Sequence, residues 1–419
     1  MNNHTMNRLP RNGGTTMTRI KNLNSSFLES TISFYIIFAL LLQIIGVDSK
    51  GSVYDTLYKA VILSIFAIAI IIYSLKRKLV SLNFFYIVFL FITLQIISII
   101  IADHGSIYSL SIIGYYLIML SLTVIFLGKG IIQVSQFTIL CRNFVIFMLL
   151  ASLFNFVVNF EDLLGLTLTQ TSYNYNFSSF FDSRNTFSYF LYIAIVLNTF
   201  LLVYKKNKFF YSISGIFLFI NLLLTFSRSS LLALFVFLLI FVLSTAKIKN
   251  KIILIYLVAL SLILVLINEK VVNLILYIFR PEVGLTGRTQ IFDIGFKYFL
   301  SNNVLFGSGY VRPLDHLLLF TNNVTYHNTY ISILVYGGLL LMSFYTLLLY
   351  YIFNNIRLLY RFNKNISMFF LSLMASYLAY SIVEEQLLFF TSVSSFIITI
   401  LLVLYPKLVL NNYIKGTIK

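Results

Sequence analysis

From Tyr211 to Thr245 the sequence reads YSISGIFLFINLLLTFSRSSLLALFVFLLIFVLST, and Arg228 is its only charged residue. An apolar stretch of about 20 residues matches the hydrocarbon thickness of a bilayer, and this one is long enough for two. Runs of the same kind recur along the chain. Across all 419 residues, 59% are hydrophobic and 10% are charged. Soluble domains carry charge on about 25% of their residues, so this chain cannot cover its surface in water. Alternating ten-residue segments of the barrel kind are absent, which leaves helices as the spanning element. The sequence predicts an all-α polytopic membrane protein.

Twelve spans are expected, near 30–47, 57–75, 81–102, 109–128, 143–160, 187–204, 209–226, 231–246, 252–267, 329–352, 366–382 and 388–405. Basic residues mark the cytoplasmic side of such helices. They concentrate in one set of tails and short connections, among them Lys76, Arg77 and Lys78, then Lys205, Lys206 and Lys208, then Arg357, Arg361 and Lys364. Both termini are expected in the cytoplasm. The net charge of +17 is then a topology signal, and no nucleic-acid partner is implied. The organisation follows as a cytoplasmic tail at 1–29, nine helices within 30–267, a large extracytoplasmic loop at 268–328 before the tenth span, three helices within 329–405 and a second cytoplasmic tail at 406–419. The polar N-terminal stretch and the long first apolar run argue for an uncleaved anchor. Cys141, the single cysteine, excludes an intramolecular disulfide and reads as a small packed hydrophobe.

The outer segments hold the chemistry, since loops on a rigid scaffold are where function concentrates. In GLTGRTQIFDIGFKYFLSNNVLFGSGY, Gly284 to Tyr310, the residues Ile291, Phe292, Phe296 and Phe299 recur at helical spacing. They predict an amphipathic helix lying on the membrane surface or folded against the bundle. Asp293 and Lys297 form an i,i+4 pair on it, Thr286 caps its start, and Gly307 and Gly309 end it in a tight turn. Arg288 has two readings, a guanidinium snorkelling to headgroups or an anion ligand. Arg228 is too costly at mid-bilayer, by at least ~2.5–3.5 kcal/mol, so it belongs at a turn between two spans, with Ser227, Ser229 and Ser230 satisfying the broken backbone. Arg184 and Asn185 stand directly before the sixth span. Three arginines at three span ends suit phosphate oxygens, because a planar guanidinium binds them in a bidentate fork.

Four histidines occur in the chain. His104 lies in a short turn and reads as a packed residue; His316 is a weaker candidate. His327 is followed by Asn328 and then at once by a span, which fixes it at the membrane edge. A neutral imidazole there can take a proton from a sugar hydroxyl. Glu384, Glu385 and Gln386 form the one acidic cluster near an outer span end, and a solvated turn is the expectation for them. No metal-ligand spacing, phosphate loop or nucleophile elbow is present, and no cofactor is called for.

Asn185 opening a span, Ser227–Arg228 between two spans, Gly287–Arg288 followed by Gly307 and Gly309, and His327–Asn328 with Gly338 together resemble the O-antigen ligase and polysaccharide polymerase (Wzy) superfamily of bacterial membrane glycosyltransferases. The likeness is strongest from Phe181 to Leu341. Phe292 stands at the usual tryptophan, Asn303 near a frequent proline, and Leu341 at a common second glycine, as in a divergent member. The resemblance implies a C-type glycosyltransferase-like bundle in the bacterial cytoplasmic membrane. It implies an undecaprenyl-pyrophosphate-linked oligosaccharide as donor and another as acceptor, with a flippase and a chain-length regulator as further partners. His327 would act as catalytic base, Arg228, Arg288 and Arg184 would hold the pyrophosphate without a metal, and Asn328, Asn185 and Ser227 would support them. A polymerase joining repeat units is the first expectation and a ligase passing the glycan to lipid A-core or protein is the second. A lipid-linked oligosaccharide flippase, from another class, predicts charges inside spans and internal symmetry, and neither is evident.

Overall fold

The computed structural model describes residues 134–161, 177–181, 183–204, 207–245, 288–309, 311–321, 325–388 and 393–414, with six more between 89 and 97. All regular structure among these residues is helical: α1 (Val134–Val158), α2 (Arg184–Tyr204), α3 (Lys208–Leu224), α4 (Arg228–Thr245), α5 (Arg288–Ser301), α6 (Val311–Phe320), α7 (Thr329–Tyr360), α8 (Lys364–Val383), α9 (Val393–Thr399), a π-turn at Ile400–Leu404 and α10 (Tyr405–Ile414). Five of them, α1, α2, α4, α7 and α8, are long and apolar enough to cross a membrane. The expected spans at 30–47, 57–75, 109–128 and 252–267, most of 81–102, and Thr286 and His104 lie outside the described residues.

The turn between the seventh and eighth expected spans is where the charge pattern put it. α3 stops at Leu224, Phe226 takes a φ of +51° and α4 begins at Arg228. Its serines differ from expectation. The Ser230 hydroxyl is 2.8 Å from that of Ser188 on α2, and the Ser229 hydroxyl reaches Glu384 beyond α8. They bind neighbouring helices rather than the backbone of their own turn.

The most extensive packing is between α4 and α8; α8 also packs on α7, and α2 on both α3 and α1. Phe237 and Phe241 of α4 meet Phe369 of α8 edge to face, a favoured ring geometry. Cys141 is fully buried among the hydrophobic residues, as expected. Two buried amides are paired across helices, Asn155 Nδ2 with Asn221 Oδ1 at 3.2 Å and Asn198 Nδ2 with the Tyr211 carbonyl at 2.7 Å, which offsets the cost of burying them.

α5 folds against the bundle, and its buried stripe departs from the expected one. Ile291, Gly295 and Phe299 face inward, while Phe296 is exposed. The reason is Gly295: a Cβ there would come within 2.7 Å of Ile331 and Tyr326. The missing side chain lets α5 settle onto α7, and that contact selects the face. Arg288 lies on the same side of the helix, one turn before Ile291.

α7 is broken once. Gly338 has φ +65° and ψ −164°, a conformation open essentially to glycine alone. Segment 303–309 lies across the break and takes up the backbone groups it frees. The amides of Ser308 and Gly309 donate to the carbonyls of Val335 and Tyr336 at 2.9 and 3.1 Å. Those of Leu339 and Leu340 donate to Val304 and Leu305 at 2.9 and 3.1 Å. The expected role of Gly307 and Gly309 as a terminal turn is thus revised, since α5 has already ended at Ser301. A Cβ on Gly307 would lie 2.5 Å from the Tyr336 carbonyl, and one on Gly338 2.5 Å from the Leu305 oxygen. The two glycines make an interlock of backbones.

Candidate active site

His327 sits in the loop ahead of α7, with a φ of +50°, rarely populated by a residue with a side chain. Asn328 caps α7: its Oδ1 accepts from the amides of Tyr330 and Ile331 at 2.9 and 3.0 Å, and its Nδ2 donates to the Ile382 carbonyl at 2.9 Å. One side chain therefore satisfies the helix start and ties it to the end of α8. Thr329 adds a second tie, donating to the Glu384 carbonyl at 3.0 Å and accepting from the Gln386 amide at 2.8 Å.

Glu384 follows the last residue of α8 and is buried. This overturns the expectation of a solvated turn. Its Oε1 receives Arg288 Nη2 at 2.6 Å and the Ser229 hydroxyl at 3.2 Å; its Oε2 lies 3.1 Å from His327 Nδ1. One carboxylate thus joins α4, α5, the His327 loop and the end of α8. Burial alone would raise its pKa, but the hydrogen bond with His327 and the charge of Arg288 outweigh that, and the carboxyl is held below its usual value. The group is an anion that accepts three hydrogen bonds.

Glu385 faces the other way. Its Oε1 accepts from Tyr336 at 3.1 Å, and its Oε2 is enclosed without a hydrogen-bond partner. Burial pushes this carboxyl up to about 7, with the Ser332 and Tyr336 hydroxyls beside it acting in the opposite sense.

The remaining sequence candidates gather at the same end of the bundle. Arg184 begins α2 and is half-buried. One turn on, Ser188 touches Ser230 of α4, two residues past Arg228 and next to Ser229. Ser227 is buried, its hydroxyl 3.4 Å from those of Ser229 and Ser230. The side chain of Asn185 is exposed. His316 is set apart: its ring lies 4.3 Å from that of Tyr298 and 5.0 Å from that of Phe320. Burial lowers its pKa, and this is a packing role.

Among the described residues no group of histidine, cysteine and acidic side chains could hold a metal ion. A basic imidazole, guanidinium groups and an anion that orients two of them can bind a phosphorylated ligand and move a proton.

That places the chain in a class, helical proteins built for a membrane, with a cluster of ionisable side chains at one end of the described helices. The comparison with protein families is specific: residues 213–346 match the family model of O-antigen ligase (Wzy_C). The stretch runs from α3 into α7 and contains Arg228, Arg288, His327 and the helix break. Over that stretch the chain is similar to the O-antigen ligase family, in line with the resemblance drawn from the motifs. No curated protein matches the chain.

Glu384 is the residue that sequence reasoning missed. The usable signal was scarcity: the chain has 13 acidic residues, and two of them stand together where a span ends. An acid at such a place is rarely neutral filler.

Proposed function

We propose that the protein is a membrane glycosyltransferase that polymerises undecaprenyl-pyrophosphate-linked oligosaccharide repeat units outside the cytoplasmic membrane. The observation that carries this reading is the joining of His327 and Arg288, both inside the stretch matching the O-antigen ligase family, on one buried carboxylate that lies beyond it in sequence. The donor's anomeric carbon–oxygen bond to the pyrophosphate breaks as an acceptor hydroxyl attacks the anomeric carbon from the opposite face. The electron pair leaves with the pyrophosphate, which Arg288, Arg228 and Arg184 hold and stabilise. With Nδ1 directed at Glu384, His327 presents Nε2 to the acceptor hydroxyl and takes its proton as the new glycosidic bond forms. In-line attack inverts the anomeric centre. The arginines carry the charge on the leaving group.

A ligase that passes the glycan to lipid A-core or protein uses the same groups, and the family match favours it as the second reading. Glycan ladders from a deletion strain separate the two. Single-repeat products follow loss of a polymerase, whereas long chains left unattached follow loss of a ligase. Restoring the chain with Arg288→Ala or Arg228→Ala leaves the ladder lost while the protein still reaches the membrane. Arg228→Lys rescues poorly because the planar fork is gone. A full ladder from well-expressed Arg288→Ala removes that residue from pyrophosphate binding.

A further inference from the structure

Arg288 is the odd member of this site. If it is to hold a pyrophosphate, it must deal with an anion already attached to it. Its Nη2 is 2.6 Å from Glu384 Oε1, with only 19% of the Arg288 side chain and 11% of the Glu384 side chain exposed. The other oxygen of the same carboxylate is on His327 Nδ1 at 3.1 Å. Both groups therefore draw on one negative charge.

We propose that Glu384 is a positioning residue shared between Arg288 and His327, and that arrival of a pyrophosphate draws Arg288 away and leaves the carboxylate to the imidazole. The proposal rests on the reading of His327 as base and Arg288 as pyrophosphate ligand, and it adds an order of events. Without donor, Arg288 neutralises Glu384 and the imidazole gains little from it. With donor bound, the guanidinium turns its fork to the phosphate oxygens, the stronger bidentate partner. The carboxylate then faces His327 with its charge uncompensated. This fixes the proton on Nδ1, keeps Nε2 free as acceptor and stabilises the imidazolium formed when the acceptor hydroxyl is deprotonated. The base becomes competent only once a leaving group is in place, so an acceptor hydroxyl is not deprotonated before a donor is there to receive it. Ser229 holds Oε1 at 3.2 Å and Thr329 holds the Glu384 carbonyl at 3.0 Å, so the carboxylate stays where it is when Arg288 leaves.

The groups that face Glu384 are Arg288 from α5, His327 from the loop ahead of α7, Tyr380 one turn back on α8, and the neighbouring Glu385. Tyr380 does not change charge at neutral pH, and Glu385 is turned to Tyr336. His327 and Arg288 are thus the two groups that share the carboxylate oxygens of Glu384 with Ser229.

Glu384→Gln keeps size and hydrogen bonding and removes the charge. In the full-length protein in lipid nanodiscs, inorganic pyrophosphate binds this variant about tenfold tighter than wild type, because Arg288 no longer has to be detached. Polymer formation in membranes falls about 100-fold, the scale of losing an orienting carboxylate. The acidic limb of its pH profile moves to lower pH, since the imidazole loses its anion. Glu384→Asp restores much of the activity. Pyrophosphate binding that is unchanged or weaker in Glu384→Gln, or an acidic limb that does not move, overturns the proposal. Should Glu384→Gln fail to accumulate, wild-type protein carrying 15N-labelled histidine supplies the readout. The ring resonance missing from His327→Ala moves downfield on saturation with inorganic pyrophosphate, and a stationary resonance overturns the proposal. Full activity of His327→Ala sinks the underlying reading of the base instead, whatever Glu384→Gln does.

Discussion

At the scale of single residues, His327 combines an uncommon backbone angle, φ +50°, with a side chain bonded to a buried acid. Holding a non-glycine residue in that region costs on the order of 1–3 kcal/mol. The surrounding ties, Asn328 to Ile382 and Thr329 to Glu384, keep it there. His327→Ala therefore abolishes polymer while leaving abundance in the membrane and thermal stability near wild type. A long-chain ladder from that strain would remove the imidazole from catalysis. Glu385 gives a separate prediction with a defined sign. Its carboxyl titrates near 7 in the folded chain and near its usual 4.5 when unfolded. Between those values the folded state keeps a proton that the unfolded state has released, so stability falls as pH rises through the window. Above it the loss is complete, at most about 3 kcal/mol. In thermal unfolding of purified protein, Glu385→Gln gains on wild type at pH 8 relative to pH 5. An equal difference at the two pH values means the carboxyl does not titrate there.

Among the elements, α7 decides the architecture of the site. Its break at Gly338 accepts segment 303–309, which anchors the polypeptide leading from α5 towards α6. Gly338→Ala must place a Cβ 2.5 Å from the Leu305 oxygen at a φ of +65°, so strain and clash add. The variant loses about 3 kcal/mol or more, seen as a lowered melting temperature, and polymer formation falls with it. Wild-type stability in this variant would mean that the interlock contributes little. α5 carries the complementary lesson. An apolar periodicity read from Ile291, Phe292, Phe296 and Phe299 identified the helix but turned it by part of a face. The side chain that mattered at Gly295 is one that is absent, and hydrophobic spacing counts only side chains that exist.

For the molecule as a whole, the two ends of the bundle differ in charge. α1, α3 and α8 finish at the end where α2, α4 and α7 begin, and that end holds Arg184, Arg228, Arg288, His327 and Glu384. Lys208, Arg357, Arg361 and Lys364 lie at the other, where Asn363 Nδ2 meets Tyr413 of α10 at 3.1 Å. On the proposed topology the lysine- and arginine-bearing end at Lys208 and Arg357 faces the cytoplasm and the His327 end faces outward. A cysteine in place of exposed Asn185 is therefore labelled by a membrane-impermeant maleimide in intact cells, and one in place of exposed Lys208 only after permeabilisation. The native background is clean, since Cys141 is buried. The reverse pattern would invert the topology and move the chemistry to the cytosol.

The sequence by itself determined that the chain is helical and built for a membrane, where several of its helices turn, and which arginines and which histidine stand at helix ends. Those properties follow from hydrophobic runs, from the cost of charge in hydrocarbon and from caps such as Asn328, all of which act over a few neighbouring residues. Only the tertiary structure decided that Glu384 is the centre of the site, that the glycines at 307 and 338 interlock, and that Arg288 and His327 share one charge. Each of those depends on residues between about 30 and 96 positions apart in sequence coming within hydrogen-bond or van der Waals reach. Such pairings are set by how helices pack, and local spacing carries no record of them.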